Sequence, residues 1–372
     1  MLVFIIPQVA TPANITNLRK GEIIKTTPFE MVLIIRDKVK KLTVKDIAKK
    51  AGVSVTAVSF VLNNKPGVSE STREKVQKII DETEFKPNLN SKKLVMNKSF
   101  NICLMMNPYS SPFEDLFYFE ITRGIINRGM KCNYNVIISR PIMAQSELPD
   151  VIYSGDADGI IFMQDISQAL IEKANKSGVP FLVVDSHSND ENITSINPDY
   201  KKATFDATSY LIDHGHKDIA IIASSVVPDF YTQTISGFNE AMKMHNLTPN
   251  PQHCYMSATN EDSAYLAAKK LLKNKKRPTA ILCTVDSFAI GVIRCAKDMK
   301  ISIPDDVSII GIDDILLSNY VEPKLTTIGI DKENMGTLAM DMILQKIKGK
   351  DVNTILLPMK LVERDSVKAI RK

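Results

Sequence analysis

Few residues in this chain of 372 have the types and spacing that catalysis or metal binding requires. His214 and His216 stand two positions apart in "DHGHKD", where a predicted helix gives way to a predicted strand, and this context favours a connecting turn over a metal site. Asp313 and Asp314 are adjacent in "GIDD", and neighbouring side chains tend to point apart, which suits an acid/base pair poorly. No nucleophile and no glycine-rich phosphate loop accompany them. We therefore predict no catalytic site, no metal and no cofactor.

The cysteines and apolar runs indicate the compartment. The five cysteines show no Cys-x-x-Cys spacing, and most lie in apolar runs, such as Cys103 in "NICLMM" and Cys283 in "AILCTV". This pattern predicts buried thiols in a reducing compartment. No apolar run reaches the roughly 20 residues of a membrane span, and the opening "MLVFIIPQVA" has no basic residue, as a signal peptide would. We expect a cytoplasmic protein with no membrane partner.

Positive charge is concentrated near the amino terminus. Residues 36–98 contain 15 Lys and Arg against seven Asp and Glu, whereas the whole chain has a formal net charge of only +5. A basic segment on a slightly acidic body favours contact with a polyanion such as nucleic acid; a solvated Lys-rich surface is the alternative. Residues 1–41 show no periodic pattern, and no element is predicted there.

Three short helices are predicted within the basic segment. Thr43 can cap a helix over 44–51, Gly52 suits the following turn, and Ser54 can cap a second helix over 55–63. The "SxxE" of residues 71–74 is a possible capping box for the third. Two helices joined by a glycine turn, with a third in support, form a helix-turn-helix unit, whose second helix enters the DNA major groove. Any other small three-helix bundle is the alternative.

Strand-length apolar runs alternate with helix-length segments from about residue 100 onward. The runs are "NICLMM", "YNVII", "GIIFM", "PFLVVD", "IAIIAS", "TAILCTVD" and "VSIIGID". Such alternation predicts mostly parallel sheets covered by helices on both faces. The segment is long for one sheet, so we predict two stacked α/β lobes, with ligands bound in a cleft beyond the carboxyl ends of the strands.

Several of these motifs carry a family resemblance. "LTVKDIAKKAGVSVTAVSFVLNNKPGVSESTREKV" resembles the DNA-binding head of the lactose-repressor (LacI/GalR) family of bacterial transcription regulators, and "FKPNLNSKKL" is similar to its hinge helix. "LIDHGHKDIAII", "RPTAILCTVDSFAIGVI", "IPDDVSIIGIDD", "LTTI" and "LVERDSV" resemble its core signatures, in order. The resemblance implies a helix-turn-helix domain over 42–86, a hinge over 87–98, and an effector-binding and dimerisation core over 99–372. That core would have two Rossmann-like lobes, similar to type I periplasmic binding proteins.

The resemblance also implies contacts to double-stranded operator DNA. They fall at Thr43, Ser54, Val55, Thr56, Ser59, Phe60, Asn63, Lys92 and Leu94. Short hydroxyl groups position a protein on phosphates, whereas Val55, Thr56 and Phe60 match base-reading positions. Phe60 cannot hydrogen-bond, so either it packs on a thymine methyl group or it turns into the core. Leu94 matches a leucine that wedges into the minor groove.

Effector contacts are implied in the core. They fall at Phe117, Tyr118, Asp185, Phe230, Thr234 and Asp313. Carboxylates suit sugar hydroxyls or an amine. Thr234 and Val285 stand where the family often has Arg and Asn, so a less polar cleft is expected. A hexose is the default effector; a nucleoside, a modified sugar or an apolar metabolite is the alternative.

The resulting hypothesis is a homodimeric, allosteric repressor that binds a near-palindromic operator. A solute-binding receptor of the periplasmic type is the alternative, but a signal peptide that would support it is not visible. An α/β enzyme is a third class, and it lacks a catalytic constellation in the sequence.

Overall fold

The computed structural model describes residues 42–62, 65–83, 85, 98–106, 115–139, 147–187, 190, 192–256, 258–274 and 276–370. The chain divides into two compact units, one ending at Met96 and the other starting at Asn97. None of the described helices combines the length and the apolar composition that crossing a membrane requires.

Three helices pack around a small apolar core in the first unit. They are α1 (Val44–Ala51), α2 (Val55–Leu62) and α3 (Glu70–Glu82). The buried core consists of Ile47, Ala48, Ala51, Val58, Val61, Val76 and Phe85. Gly52 ends α1 with φ 63°, in the left-handed region that glycine adopts readily, which confirms the predicted turn.

The predicted start of the third helix is wrong by two residues. Ser69, and not Ser71, is the N-cap of α3, because its hydroxyl oxygen accepts the Thr72 backbone N–H at 3.3 Å. Both positions carry Ser, so the pattern alone did not distinguish them.

The second unit contains two six-stranded sheets among its described residues, one in each lobe. Their strands are β1 Asn101–Met105, β2 Asn135–Ser139, β3 Gly159–Met163, β4 Phe181–Val184, β5 Ser195–Pro198, β6 Ile219–Ile222, β7 Cys254–Tyr255, β8 Ala280–Cys283, β9 Ser308–Asp313, β10 Thr326–Gly329, β11 Ile355–Leu357 and β12 Lys360–Val362. The first sheet has the order β11-β5-β4-β3-β1-β2, and all its pairings are parallel. The second has the order β12-β10-β9-β8-β6-β7, and only the β10–β12 pairing is antiparallel. The chain therefore passes between the lobes after β5, after β10 and between β11 and β12. This confirms the predicted two-lobed, mostly parallel fold.

The helices of this unit are α4 Leu116–Lys131, α5 Asp150–Tyr153, α6 Gln168–Ser177, α7 Tyr200–Asp213, α8 Pro228–Met244, α9 Glu261–Lys273, α10 Asp286–Asp298 and α11 Lys332–Ile347. Short 3₁₀ turns span Pro251–His253 and Leu316–Asn319.

Helices α4 and α11 cross with their backbones in contact. A Cβ on Gly124 would lie 2.1 Å from the carbonyl oxygen of Glu333, and a Cβ on Gly336 would lie 2.1 Å from that of Ile121. Only glycine permits such an approach. Helix α11 follows the second passage of the chain between the lobes. Its crossing with α4 therefore holds this part of the chain against the helix that carries Phe117 and Tyr118.

Candidate nucleic-acid interface and ligand cleft

Two hydroxyl side chains cap helices on the surface of the first unit. Thr43 forms a reciprocal capping box with Asp46, donating its hydroxyl to Oδ2 at 2.7 Å and accepting the Asp46 N–H at 3.3 Å. The Ser54 oxygen accepts the Ala57 N–H at 3.1 Å at the start of α2. Both residues are exposed, at helix N-termini where backbone N–H groups favour anions. The predicted caps are confirmed, and both positions are accessible to a phosphate.

The outward face of α2 is mixed in character. Val55 is 45% exposed, Thr56 is exposed and Ser59 is half-buried. Lys45, Lys49 and Lys50 of α1 are exposed as well, and they supply positive charge on the neighbouring helix. Such a surface can contact phosphates through lysines and a base edge through a small side chain.

Phe60 does not turn into the apolar core, which is one of the two positions predicted for it, and contact with a thymine methyl group stays a prediction. It is half-buried and lies outside the apolar core of the unit, with its ring edge against Gly67 in the loop before α3. A Cβ on Gly67 would lie 2.9 Å from the Phe60 ring, and the φ of Gly67 is 116°. The ring therefore braces the loop after α2. Asn63, Lys92 and Leu94, also predicted to contact DNA, lie outside the described residues.

A cavity of about 740 Å³ opens between the two lobes of the second unit. Its walls come mainly from the residues that follow β1, β3, β4, β6, β8 and β9, so it lies at the carboxyl ends of both sheets, as predicted. The predicted contacts Phe117, Tyr118, Asp185, Phe230 and Asp313 all line it. Val285 lines it too, in place of the expected amide.

Thr234 is placed differently from the other predicted contacts. It is fully buried, and it is not among the residues that line the cavity. Its hydroxyl donates to the carbonyl oxygen of Phe230, at 2.9 Å, one turn earlier in α8. The Thr234 hydroxyl is therefore hydrogen-bonded within its own helix, and Phe230 is the residue of this helical turn that lines the cavity.

Asp185 is the centre of a buried hydrogen-bond network. Tyr118 donates its hydroxyl to Asp185 Oδ2 at 2.5 Å, and Tyr200 donates to Oδ1 at 3.1 Å. Burial, followed by the charge of Asp185, raises the pKa of both tyrosines well above its ordinary value, so both keep their protons. Asp185 follows β4 directly and has φ 61°, in the left-handed region that residues other than glycine rarely adopt.

His187 lies between two carboxylates. Its Nδ1 is 2.8 Å from Asp165 Oδ2, and its Nε2 is 3.6 Å from Asp185 Oδ1. Burial lowers the pKa of His187, but the charges of Asp185 and Asp165 outweigh it, so that the pKa is raised overall. The ring also stacks on Tyr200 and meets Phe230 edge-on, with centroid distances of 5.6 and 5.2 Å.

Asp313 and Asp314 point apart, as predicted. Asp314 is paired with Arg364, Oδ1 to Nη2, at 2.6 Å, whereas Asp313 is buried at the cavity wall. Burial, and next the nearby Asp286, raises the pKa of Asp313 well above its ordinary value. Asp314 therefore forms a structural ion pair with Arg364, and Asp313 is a separate carboxyl group at the cavity wall.

Several lining residues were missed by the sequence analysis: Asp115, Gln164, His187, Tyr200 and Glu261. The rule that ligands bind beyond strand ends would have found Gln164 and His187, which follow β3 and β4. Tyr200 follows β5, a strand whose "SINP" sequence gives no apolar signal.

The two units define a class of protein, a DNA-binding regulator with a binding-protein-like core. Residues 43–88 match the family model for bacterial regulatory proteins, lacI family, and residues 208–367 match that for a periplasmic binding protein-like domain. The chain is 31% identical to catabolite control protein A of Priestia megaterium, over 88% of this chain and 99% of that protein. It is 32% identical to the HTH-type transcriptional repressor PurR of Vibrio vulnificus (strain CMCP6), with the same coverage.

A solved structure agrees with these matches. The lac repressor dimer bound to operator and the anti-inducer ONPF superposes with a TM-score of 0.74 at 26% identity, over 89% of this chain and all of that chain. The chain belongs to the lacI family of bacterial regulatory proteins. The predicted family and fold are thereby confirmed.

Proposed function

We propose that the protein is a repressor that binds a specific operator as a homodimer and that a small molecule in the cleft controls this binding. The observation that carries the proposal is that one chain holds both a helix-turn-helix unit and a two-lobed cleft with buried carboxyl groups. The similar lac repressor is described as a dimer with both operator and anti-inducer bound. A receptor for solute transport would not need the first unit.

The surface of the first unit supports separate roles in DNA binding. Thr43 and Ser54, at exposed helix N-termini, contact phosphates. Val55 and Thr56 enter the major groove and read bases, Val55 by apolar contact with thymine methyl groups. Ser59, Asn63, Lys92 and Leu94 remain predicted contacts. We expect Phe60 to act indirectly, by holding the loop after α2.

The inter-lobe contacts at the cleft support ligand control. Gln233 of α8 donates its side-chain amide to the backbone carbonyl of His187, at 3.4 Å, and Phe230 packs against the His187 ring. These residues belong to different lobes, so closure on a ligand changes contacts that hold the lobes together. Such a two-state element can couple the cleft to the hinge over 87–98.

We further infer that the cleft binds its ligand without converting it, and that the protein acts in the cytoplasm. The relatives at 31% and 32% identity carry the names of a catabolite control protein and a transcriptional repressor. Within the cavity, the Asp185 network holds its protons on the tyrosines and offers no activated nucleophile.

The test is a selection of DNA fragments on the purified protein, followed by affinity measurements on a duplex with the enriched motif. We expect Val55→Ala and Thr56→Ala each to weaken binding to the motif by about tenfold, which corresponds to one lost base contact. Their affinity for a scrambled duplex should be unchanged. Lys243→Ala, on the second unit, is the control. Wild-type affinity in both α2 variants would show that this helix does not read the operator.

A further inference from the structure

The cleft has an unbalanced charge. Its lining includes the carboxyl groups of Asp115, Asp185, Glu261 and Asp313, and among the described lining residues there is no Lys or Arg. His187 is the only described lining residue that titrates to a cation, and Asp165 and Asp185 already flank it. A phosphate or carboxylate ligand would therefore meet carboxyl groups on both lobes and no described lining Lys or Arg to pair with, which disfavours its binding.

Asp313, one of the lining residues, has a buried side-chain oxygen that is unsatisfied. The residue is only 6% exposed, and its Oδ1 has no hydrogen-bond partner among the described residues. The nearby ammonium of Lys332 does not supply one, because it donates to the backbone carbonyls of Asp313 and Asp314, at 2.7 Å each. A buried polar atom without a hydrogen-bond partner is uncommon in folded proteins. A ligand that donates a hydrogen bond to Asp313 would satisfy this atom.

Aromatic rings stand beside the second buried carboxyl group. Tyr118 and Tyr200 both donate to Asp185, and Phe230 packs edge-on against Tyr200 with a centroid distance of 4.9 Å. The Asp185 carboxylate has lone pairs left after these two bonds. Ring faces attract cations, so an aromatic wall around a carboxylate suits an ammonium group.

We propose that the cleft binds a small amine, with its ammonium group held by Asp313 and Asp185 and its carbon skeleton packed on the aromatic wall. The inference deepens the proposed function and rests on it. A neutral sugar could donate a hydroxyl to Asp313, but it would bring no positive charge to the carboxyl groups of the cleft. An amino sugar carries both the hydroxyls and the cation.

Binding of an amine has a proton signature. Because burial raises the pKa of Asp313, the free protein keeps a proton there at pH values where an exposed Asp has lost it. The groups that act on Asp313 are Asp286, Lys332, Asp115 and Asp185. An ammonium group within the cavity favours the carboxylate form, so the proton is released on binding.

The experiment is isothermal titration calorimetry of the full-length protein at a series of pH values upward from the ordinary pKa of an Asp, with two buffers of different ionisation enthalpy at each pH. The probes are glucosamine, N-acetylglucosamine, glucose and glucose 6-phosphate, with putrescine and ethanolamine as amines without a sugar ring. We expect an amine of this set to bind with proton release, its neutral counterpart to bind at least about tenfold more weakly, and the phosphate ester not to bind.

A pair of matched variants completes the test. Asp313→Asn should weaken amine binding by at least about 30-fold, because it removes one member of a buried charge pair. Asp213→Asn, at an exposed position at the end of α7, should leave the affinity unchanged. Asp313→Asn should melt no lower than the wild type, which separates lost binding from lost folding.

Three results would overturn the amine: a neutral sugar that binds as tightly as its amine, an Asp313→Asn variant with wild-type amine affinity, or no binding by any amine at millimolar concentration. The selection of DNA fragments tests the proposed repressor function independently of the amine. A protein that selects an operator but binds no amine would leave the repressor intact and refute only the amine.

Discussion

Replacing Ile47 with Ala should abolish operator binding while leaving the second unit folded. Ile47 is completely buried in the core of the first unit, where α1 packs on α2 and α3. Truncating a buried Ile to Ala costs about 2–5 kcal/mol, because the removed atoms lose their burial and leave a cavity. The effect reaches DNA binding because α2 owes its position to this core.

The magnitude is decided by the small size of the unit. Stability of about 0.05–0.15 kcal/mol per residue gives the residues of positions 42–85 a total of about 2–7 kcal/mol. The expected loss is therefore comparable to the whole stability of the unit. Ile47→Val, which removes one methyl group, costs about 0.5–1.5 kcal/mol and should leave the unit folded.

The assay is fluorescence anisotropy with the operator duplex, together with calorimetric unfolding of the same samples. We expect Ile47→Val to bind nearly as the wild type, Ile47→Ala to lose binding, and both to retain the main unfolding transition of the second unit. If Ile47→Ala bound the operator as tightly as Ile47→Val, operator binding would not depend on the folded first unit, and the assignment of DNA contact to that unit would be refuted.

Three further outcomes are expected. Gly124→Ala places a Cβ 2.1 Å from the Glu333 carbonyl oxygen, so it should lower the free energy of unfolding of the second unit by about 3 kcal/mol or more, measured by denaturant titration. Burial raises the pKa of Asp286 from 3.8 to about 6. The free energy of unfolding of the wild type, relative to that of Asp286→Asn, should therefore be highest below pH 3.8 and fall by about 3 kcal/mol as the pH rises through 6. Equal pH profiles of the two proteins would contradict this. Gly67→Ala adds a Cβ 2.9 Å from the Phe60 ring, so it should weaken operator binding, and Phe60→Ala in the same chain should partly restore it. Additive losses in the double variant, measured by anisotropy, would count against the bracing role of Phe60.

The sequence predicts the elements with strong local signals and misses those that depend on neighbours. The runs that became β1, β3 and β8 are fully buried and apolar, so they are recognisable alone. β11 and β12 have three residues each and pair at sheet edges, where no apolar pattern is required. Their existence follows from the passage of the chain between lobes, which no local pattern encodes.

The same distinction holds for the cleft. Asp185 and Asp313 end apolar strands, so their place in the cavity could be predicted. His187 and Tyr200 come together only because the loop after β4 meets the start of α7, and their partner Phe230 comes from the other lobe. For Thr234, position along α8 did not show that the hydroxyl turns back to its own helix.

Sequence-specific DNA binding is tested most directly by the ratio of two dissociation constants, one for the enriched duplex and one for a scrambled duplex of equal length, at one physiological salt concentration. We predict that the enriched duplex binds at least about 1,000-fold more tightly, as specific sites do for regulators of this kind. Dissociation constants within about tenfold of each other would show phosphate contact without sequence reading, and they would contradict the assignment of Val55 and Thr56 to base recognition.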